Sequence, residues 1–228
     1  MAKLVWDNTS EHFYETGVDH AVLYPMASTG VYGVGVAWNG ITSITESPSG
    51  ADSNPFYADN IKYLDIRSAE DFGATIECYT YPEEFEECNG RRTPTNGLVI
   101  GQQPRKGFGL SYRTIVGNDT EYNDHGYKLH LIYNATASPA ELSYQTVNDS
   151  PEPGSMSFEM TTTPVPIPGF KNTALITIDS TKVAADKLAA LETLLYGDAS
   201  TNPTLPSPET VLTTLGLTYN ESTKTWAA

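Results

Sequence analysis

With 228 residues, 39% of them hydrophobic and 18% charged, the chain is long enough to bury a core without disulfide staples. Thirteen lysines and arginines stand against 28 acids, for a net charge of −15, which excludes sequence-independent affinity for nucleic acid and argues against anionic membrane surfaces as partners. Cys78 and Cys88 are too few for a disulfide scaffold and fit a reduced, cytoplasmic setting.

The start MAKLVWDNTSEHFYE has no apolar h-region, and no run approaches a membrane span, so neither a signal peptide nor a transmembrane helix is expected. Residues 1–19 are polar and aperiodic. They read as an arm whose Trp6, Phe13 and Tyr14 anchor on something else, such as another subunit. A first strand is expected over residues 20–26, with Ala21, Leu23 and Pro25 on one face. Gly30, Gly33 and Gly35 spell G-x-x-G-x-G, the reverse of the dinucleotide fingerprint and without its strand–helix context. A glycine-rich turn before a strand over 34–46 is the reading.

Residues 47–60 are dense in breakers, yet Phe56 and Tyr57 sit in their middle. A long structureless loop inside a compact domain is usually functional, and central aromatics suit a tip that docks on a partner. Ser49, Asp52, Asn54, Pro55, Phe56 and Tyr57 are therefore the candidate contact residues. The strand Ile61–Arg67 leads into the segment that organises the chain, 65–90. In it Ala74, Ile76 and Cys78 alternate with Thr75, Glu77 and Tyr79, the period of a half-buried strand. Pro82 ends it, and EEFEEC at 83–88 suggests one acidic helical turn closed by Asn89-Gly90. Four bunched glutamates read as a solvated face rather than a catalytic pair, whose members face each other across a cleft.

Residues 91–97 are a turn-rich connector before a short strand at 98–102. Lys106 is followed by Gly107 where a P-loop needs Ser or Thr. Strands over 107–116 and 127–134 set Phe108, Leu110 and Tyr112, then Tyr127, Leu129, Leu131 and Tyr133, on single faces. The loop between them, NDTEYNDHG, imitates a calcium loop but lacks its glycine position and closing glutamate, and reads as a hairpin loop. Further strands are expected at 141–147, 156–165 and 174–178, with the turn NDSPEPG between the first two.

From Ser180, read as an N-cap, Ala184, Leu188, Leu191 and Leu195 recur at helical spacing up to Gly197, a C′ stop. A helix over about 180–196 should cover the sheet through those four residues. Residues 198–228 form a proline-rich extension, with a short helix from Ser207 (Pro208 at N1) to Gly216 and a small hairpin in TYNESTKTW. No G-x-S-x-G, H-E-x-x-H or C-x-x-C occurs, and His12, His20, His125 and His130 have no ligand spacing with the cysteines. No catalysis, cofactor or metal is expected.

Strands about ten residues apart, with turn signals between them, predict a mainly β antiparallel sandwich or barrel-like fold. The phrases AEDFGATIECYTYPEEFEECNG (69–90), GFGLSYRTIVGNDT (107–120), GYKLHLIYNATASPAE (126–141) and TVNDSPEPGSMSFEMTTTPV (146–165) carry a resemblance. They are similar to the major tail proteins, or tail tube subunits, of long-tailed non-contractile bacteriophages of Gram-positive hosts.

The resemblance spans roughly residues 1–200 and implies a tail tube domain over 1–197, with the role of 198–228 unassigned. It implies a β-sandwich with a flanking helix that assembles into hexameric rings. The rings stack into a tube around a tape measure protein, with a tail terminator and a distal tail protein as further partners. It also implies that 47–60 is the ring-stacking loop, that DNA passes the bore without specific binding, and that the protein is a virion component assembled in the host cytoplasm. Asp65, Glu77 and Glu159, at alternating polar positions, are the candidate lumen acids. The alternative is a monomeric carbohydrate-binding or adhesin-like module, mildly favoured by 14 tyrosines and three tryptophans.

Overall fold

The computed structural model describes residues 4–27, 31–50, 52–146, 149 and 153–227. Along the chain run β1 (Tyr14–Pro25), β2 (Val36–Ala37), β3 (Ile41–Glu46), β4 (Ser49–Gly50), β5 (Ser53–Ala58), β6 (Ile61–Arg67), β7 (Glu70–Asp71) and β8 (Gly73–Cys78). Next come α1 (Phe85–Cys88), β9 (Arg92–Thr95), β10 (Leu98–Ile100), β11 (Phe108–Asn118), β12 (Tyr122–Ala137), β13 (Met156–Thr162) and β14 (Leu175–Asp179). The chain ends in α2 (Ala185–Tyr196), α3 (Pro208–Thr214), β15 (Thr218–Asn220) and β16 (Thr225–Ala227).

The fold is mainly β. An antiparallel sheet of eight strands runs β2-β1-β11-β12-β13-β8-β3, with β14 also on β12. The long strand β12 makes this branching possible. Its 128–132 stretch pairs with β14 and its 135–137 stretch with β13, while β11 lies along its other edge.

Alternation along the strands then builds two cores. Ala21, Leu23, Phe108, Leu110 and Ile132 point to one side, where they meet Ile76, Cys78, Phe85, Cys88 and Phe158 from β8, α1 and β13. Phe85 and Phe158 lie 5.0 Å apart in edge-to-face contact at its centre. Val22, Tyr24, Leu129, Leu131 and Tyr133 point to the other side, where Leu188, Leu191 and Leu195 of α2 and Val211 of α3 cover them. Gly109 sits beneath Leu205: a Cβ there would lie 2.3 Å from the leucine methyl, so a side chain would push the C-terminal segment off the sheet.

Several elements differ from the sequence reading. The arm is shorter than 1–19, because β1 already pairs with β11 from Tyr14. Its period is broken by register shifts near Gly17 (φ +64°) and His20 (φ +49°), which hide the strand. The strand expected over 34–46 is split into β2 and β3 by Gly40 at φ +81°.

Residues 141–146 form no strand. Val147, and with it most of the NDSPEPG turn, lies outside the described residues, as does Gly30 of the glycine-rich turn. Helix α2 starts five residues after Ser180. The Asp179 carboxylate accepts from the Thr181 backbone N–H at 3.0 Å, closing a turn, and the Ser180 hydroxyl accepts from Tyr127 N at 2.9 Å instead of capping the helix. Ala184 is the exposed N-cap and does not pack on the sheet. Helix α3, by contrast, begins as expected, with the Ser207 hydroxyl accepting from Thr210 N behind Pro208. The C-terminal hairpin β15–β16 forms around Asn220, and the Trp226 indole donates to Pro168 O at 2.7 Å.

The sheet bends until β3 faces β1, where a polar cluster spans the seam. The His130 ring stacks on Tyr112 (centroids 4.6 Å apart, 3° between planes). Its Nδ1 lies 3.2 Å from Glu46 of β3, and its Nε2 lies 3.0 Å from the Thr114 hydroxyl and 3.6 Å from Glu15 of β1. Tyr112 OH donates to Glu46, Lys128 pairs with Glu15, and the Thr177 hydroxyl is 3.5 Å from His130 Nδ1. The hydrogen bond from His130 lowers Glu46 below its usual 4.5, and Tyr112 lowers it further. A carboxylate depressed in the fold stabilises it above the unfolded pKa, and that contribution disappears as pH falls through the folded value. Glu46→Gln is therefore expected to flatten the loss of stability below pH 4.5. Urea melts of both proteins at pH 7 and pH 4 check this: an acid limb equally steep in the variant would mean that Glu46 does not hold the seam.

Candidate interaction surface

The stretch 47–60 is not a loop. It is the first half of an arm that leaves the body after β3 and re-enters at β8. At the arm's base β4 pairs with β7 (Ser49 opposite Asp71, Gly50 opposite Glu70), and Ser47 N donates to Gly73 O at 2.8 Å. Gly50 has φ +84°, and a Cβ would fall 2.4 Å from Ala69 O, so the base closes only with glycine there. Beyond it Asp52 and Ser68 bond each other, Asp52 N to the Ser68 hydroxyl at 3.1 Å and Ser68 N to Asp52 O at 3.2 Å. The hairpin β5–β6 then runs to a two-residue tip, Asp59-Asn60, with φ of +51° and +62°, the positive pair that suits a tight hairpin turn.

Every residue of β5 and β6 is exposed, so the hairpin stands clear of both cores. Its faces are unlike. Phe56 opposes Leu64 and Asn54 opposes Ile66, giving one apolar face. The other face carries Pro55 and Asp65, whose carboxylate accepts from Ser53 (2.6 Å) and Lys62 (2.6 Å). These bonds hold Asp65 below the ordinary carboxylate range, Lys62 first. Tyr57 and Tyr63 (each 70% exposed) and Ile66 (56%) leave far more apolar surface in water than scattered single residues do. A hairpin without a core behind it is at best marginally stable alone, and this one has none behind either face.

The expected contact residues thus come together on one arm, with Ser49 and Asp52 near its base and Asn54, Pro55, Phe56 and Tyr57 along its strand. Ile61, Tyr63, Leu64 and Ile66 belong to the same surface. The sequence marks 61–67 as a strand leading into 65–90, and nothing in its pattern ties that strand to the surface of 47–60.

The candidate lumen acids separate. Asp65 belongs to the arm and so is not on the sheet with the other two. Glu77 (β8) and Glu159 (β13) share the outward face of the β3–β8–β13 wing, opposite the first core: Glu77 is level with Ser43 and Ser157, and Glu159 with Thr75. Ser43 donates to Glu77 at 2.9 Å. None of the three strands contains a lysine, arginine or histidine. The glutamate-rich turn is less solvated than expected: Phe85 and Cys88 are buried, and Glu86 and Glu87 pair with Arg91 and Lys106. Both cysteines are free and buried, and burial pushes the Cys88 thiol up to about 12.

A second exposed hairpin, β9–β10, turns at Asn96-Gly97 and presents Leu98, Val99 and Ile100. In the β11–β12 loop Asp119 accepts from Ser10 N and lies 3.1 Å from His12. Among the described residues no three His, Cys, Asp or Glu side chains cluster as metal ligands, and no helix is long and apolar enough to cross a membrane.

No protein-family model matches the chain, and no curated protein sequence does. Solved structures give loose likenesses. A chain of the anti-feeding prophage (AFP) baseplate matches at 7% identity and TM-score 0.38, covering 79% of this chain and 100% of that one. Two chains of an extracellular contractile injection system also match. One, from the PVC sheath-tube complex in its extended state, has 13% identity and TM-score 0.31 over 70% of this chain and 88% of its own. The other, from the PVC sheath/tube terminator, has 12% identity and TM-score 0.28 over 77% and 99%. TM-scores this low do not establish a shared fold.

Proposed function

We propose that the chain is a structural subunit of a bacteriophage tail that polymerises as stacked hexameric rings into the tail tube, the conduit for DNA, without catalysis. The observation that carries this is the arm: a hairpin with an apolar face, every residue exposed, anchored on a rigid β body. The resemblance of the phrases at 69–90, 107–120, 126–141 and 146–165 to tail tube subunits supports the same role. Tape measure protein, tail terminator and distal tail protein are the partners this role brings with it. For the carbohydrate-binding alternative, Trp38 is buried against Phe85 and Trp226 is tied to Pro168, whereas Trp6, Tyr122 and Tyr144 stay exposed. Negative-stain microscopy and sizing of the purified protein test the assignment. Rings or tubes are expected; a compact monomer of 24.8 kDa at all concentrations would refute it.

The β3–β8–β13 wing supplies the bore. Its outward face is polar, carries Glu77 and Glu159 and has no base, whereas the other wing is covered by α2 and α3. A conduit must not hold its cargo, since each cation paired to a phosphate adds affinity. Six copies at −15 each give about −90 per ring. Assembled tubes are expected to release duplex DNA at about 50 mM salt, and Glu77→Lys with Glu159→Lys to make them retain it. Retention by wild-type tubes, or no change in the double variant, would remove the wing from the bore.

A further inference from the structure

We propose that the surface receiving the arm is the β9–β10 hairpin of the next copy, so that subunits join head to tail through two unlike hairpins. This names the counter-surface within the tail-tube reading and rests on it. The topology places the two hairpins at opposite ends of one strand. The arm enters β8 at Gly73, and α1 with β9–β10 follows from its other end, Cys78. Six extended residues put roughly 17–20 Å between those points. Every residue of β9 and β10 is exposed, as in the arm, and Leu98, Val99 and Ile100 offer an apolar patch on the segment that the chain builds after leaving that end.

Charge makes the pair complementary. The arm, 49–71, carries Asp52, Asp59, Asp65, Glu70 and Asp71 against Lys62 and Arg67. Of these acids only Asp65 has a cation partner among the described residues. In a chain of net −15, residues 89–107 hold four bases and no acid. Glu86 and Glu87 neutralise Arg91 and Lys106. Arg92 has no carboxylate partner among the described residues, and Arg105 bonds only the neutral oxygens of Asn89 (3.1 Å) and Ser138 (3.4 Å). Two arms meeting each other would bring like charges together; arm and β9–β10 bring opposite ones, which sets register and excludes the wrong pairing. A contact between unlike surfaces is heterologous: it closes into a ring if the rotation between copies closes and runs on along an axis if it does not, and stacked rings need the second.

Paired cysteines test the geometry. Asn54 flanks the arm's apolar face and Thr95 lies opposite Leu98; both are polar and exposed, and native Cys78 and Cys88 are buried. Under mild oxidation the chain carrying both Asn54→Cys and Thr95→Cys is expected to give a ladder of covalent oligomers on a non-reducing gel. Each single variant should give none, and a mixture of the two singles only dimers. Arg92→Glu should raise the concentration needed for assembly about tenfold, and Arg92→Lys should not. Self-linking of the Asn54→Cys single variant, or tubes in the microscope with no ladder, overturns this counter-surface and leaves the tube reading standing. Neither tubes nor cross-links, with wild-type protein also a monomer, overturns both.

Discussion

Excising residues 48–71 and joining Ser47 to Phe72 through an Asn-Gly turn is expected to leave a folded subunit that no longer polymerises. The ends already adjoin, since Ser47 N bonds Gly73 O at 2.8 Å, so a two-residue turn can replace the arm without moving β3 or β8. Phe72, which packs on the first core, is kept, and none of the arm's described residues belongs to either core. Stability in denaturant should therefore change by no more than about 0.5 kcal/mol, as for surface changes generally. Assembly loses its whole apolar docking face, Phe56, Leu64 and Ile66 included. Cutting only 49–57 would be a worse experiment, because it strands β6 without its partner. Sedimentation velocity and microscopy read the result: tubes of normal length from the excised protein would show that stacking runs through another surface.

The second large effect is in the helix layer. Leu191 is fully buried where α2 crosses the sheet, among Leu129, Leu131 and Tyr133 of β12. Leu191→Ala removes its side-chain packing and leaves a cavity that the strand backbone cannot collapse into, so a cost of about 2–5 kcal/mol is expected. Urea melts measure it directly. A loss below about 0.5 kcal/mol would mean that α2 does not hold the second core, and would favour a mobile helix over the packed one described.

What was legible in the sequence follows from what each segment is packed against. β11 and β12 are two-sided, with one face to each core, so their period of two is clean and residues 107–116 and 127–134 were readable with both faces assigned. α3 carries its own start signal in Ser207-Pro208. α2 carries its stop in Gly197 (φ +76°), but its start was misplaced: Asp179, Ser180 and Thr181 satisfy the preceding turn before the helix begins, and side-chain hydrogen bonding of this kind competes with capping.

The arm was illegible as structure for the opposite reason. With no core behind either face, β5 and β6 are under no pressure to alternate cleanly, and register there is fixed by the turn alone. The turns were the available signals, Asp59-Asn60 in the arm and Asn96-Gly97 in β9–β10. Location on the arm was readable from Phe56 and Tyr57, but the second half of its surface, from Ile61 to Ile66, was not. Nor does sequence alone say that Glu77 and Glu159 share a sheet face while Asp65 does not. That depends on β8 pairing with β13, which lies far along the chain.

The partners of β1 have a consequence in time. Tyr14 through Pro25 pair with Gly117 back to Phe108, so the first strand must wait for roughly 80–100 further residues before it has a neighbour on that edge. At about 5–20 residues per second, the β11 edge of the apolar run Ala21-Val22-Leu23-Tyr24 stays unpaired for roughly 4–20 s, with only the two-residue strand β2 available on the other edge, far longer than a hairpin takes to form. The arm, whose strands are adjacent in sequence, closes within microseconds of emerging. Each newborn chain thus samples the β5–β6 hairpin before either core exists, while β1 still lacks its long partner strand.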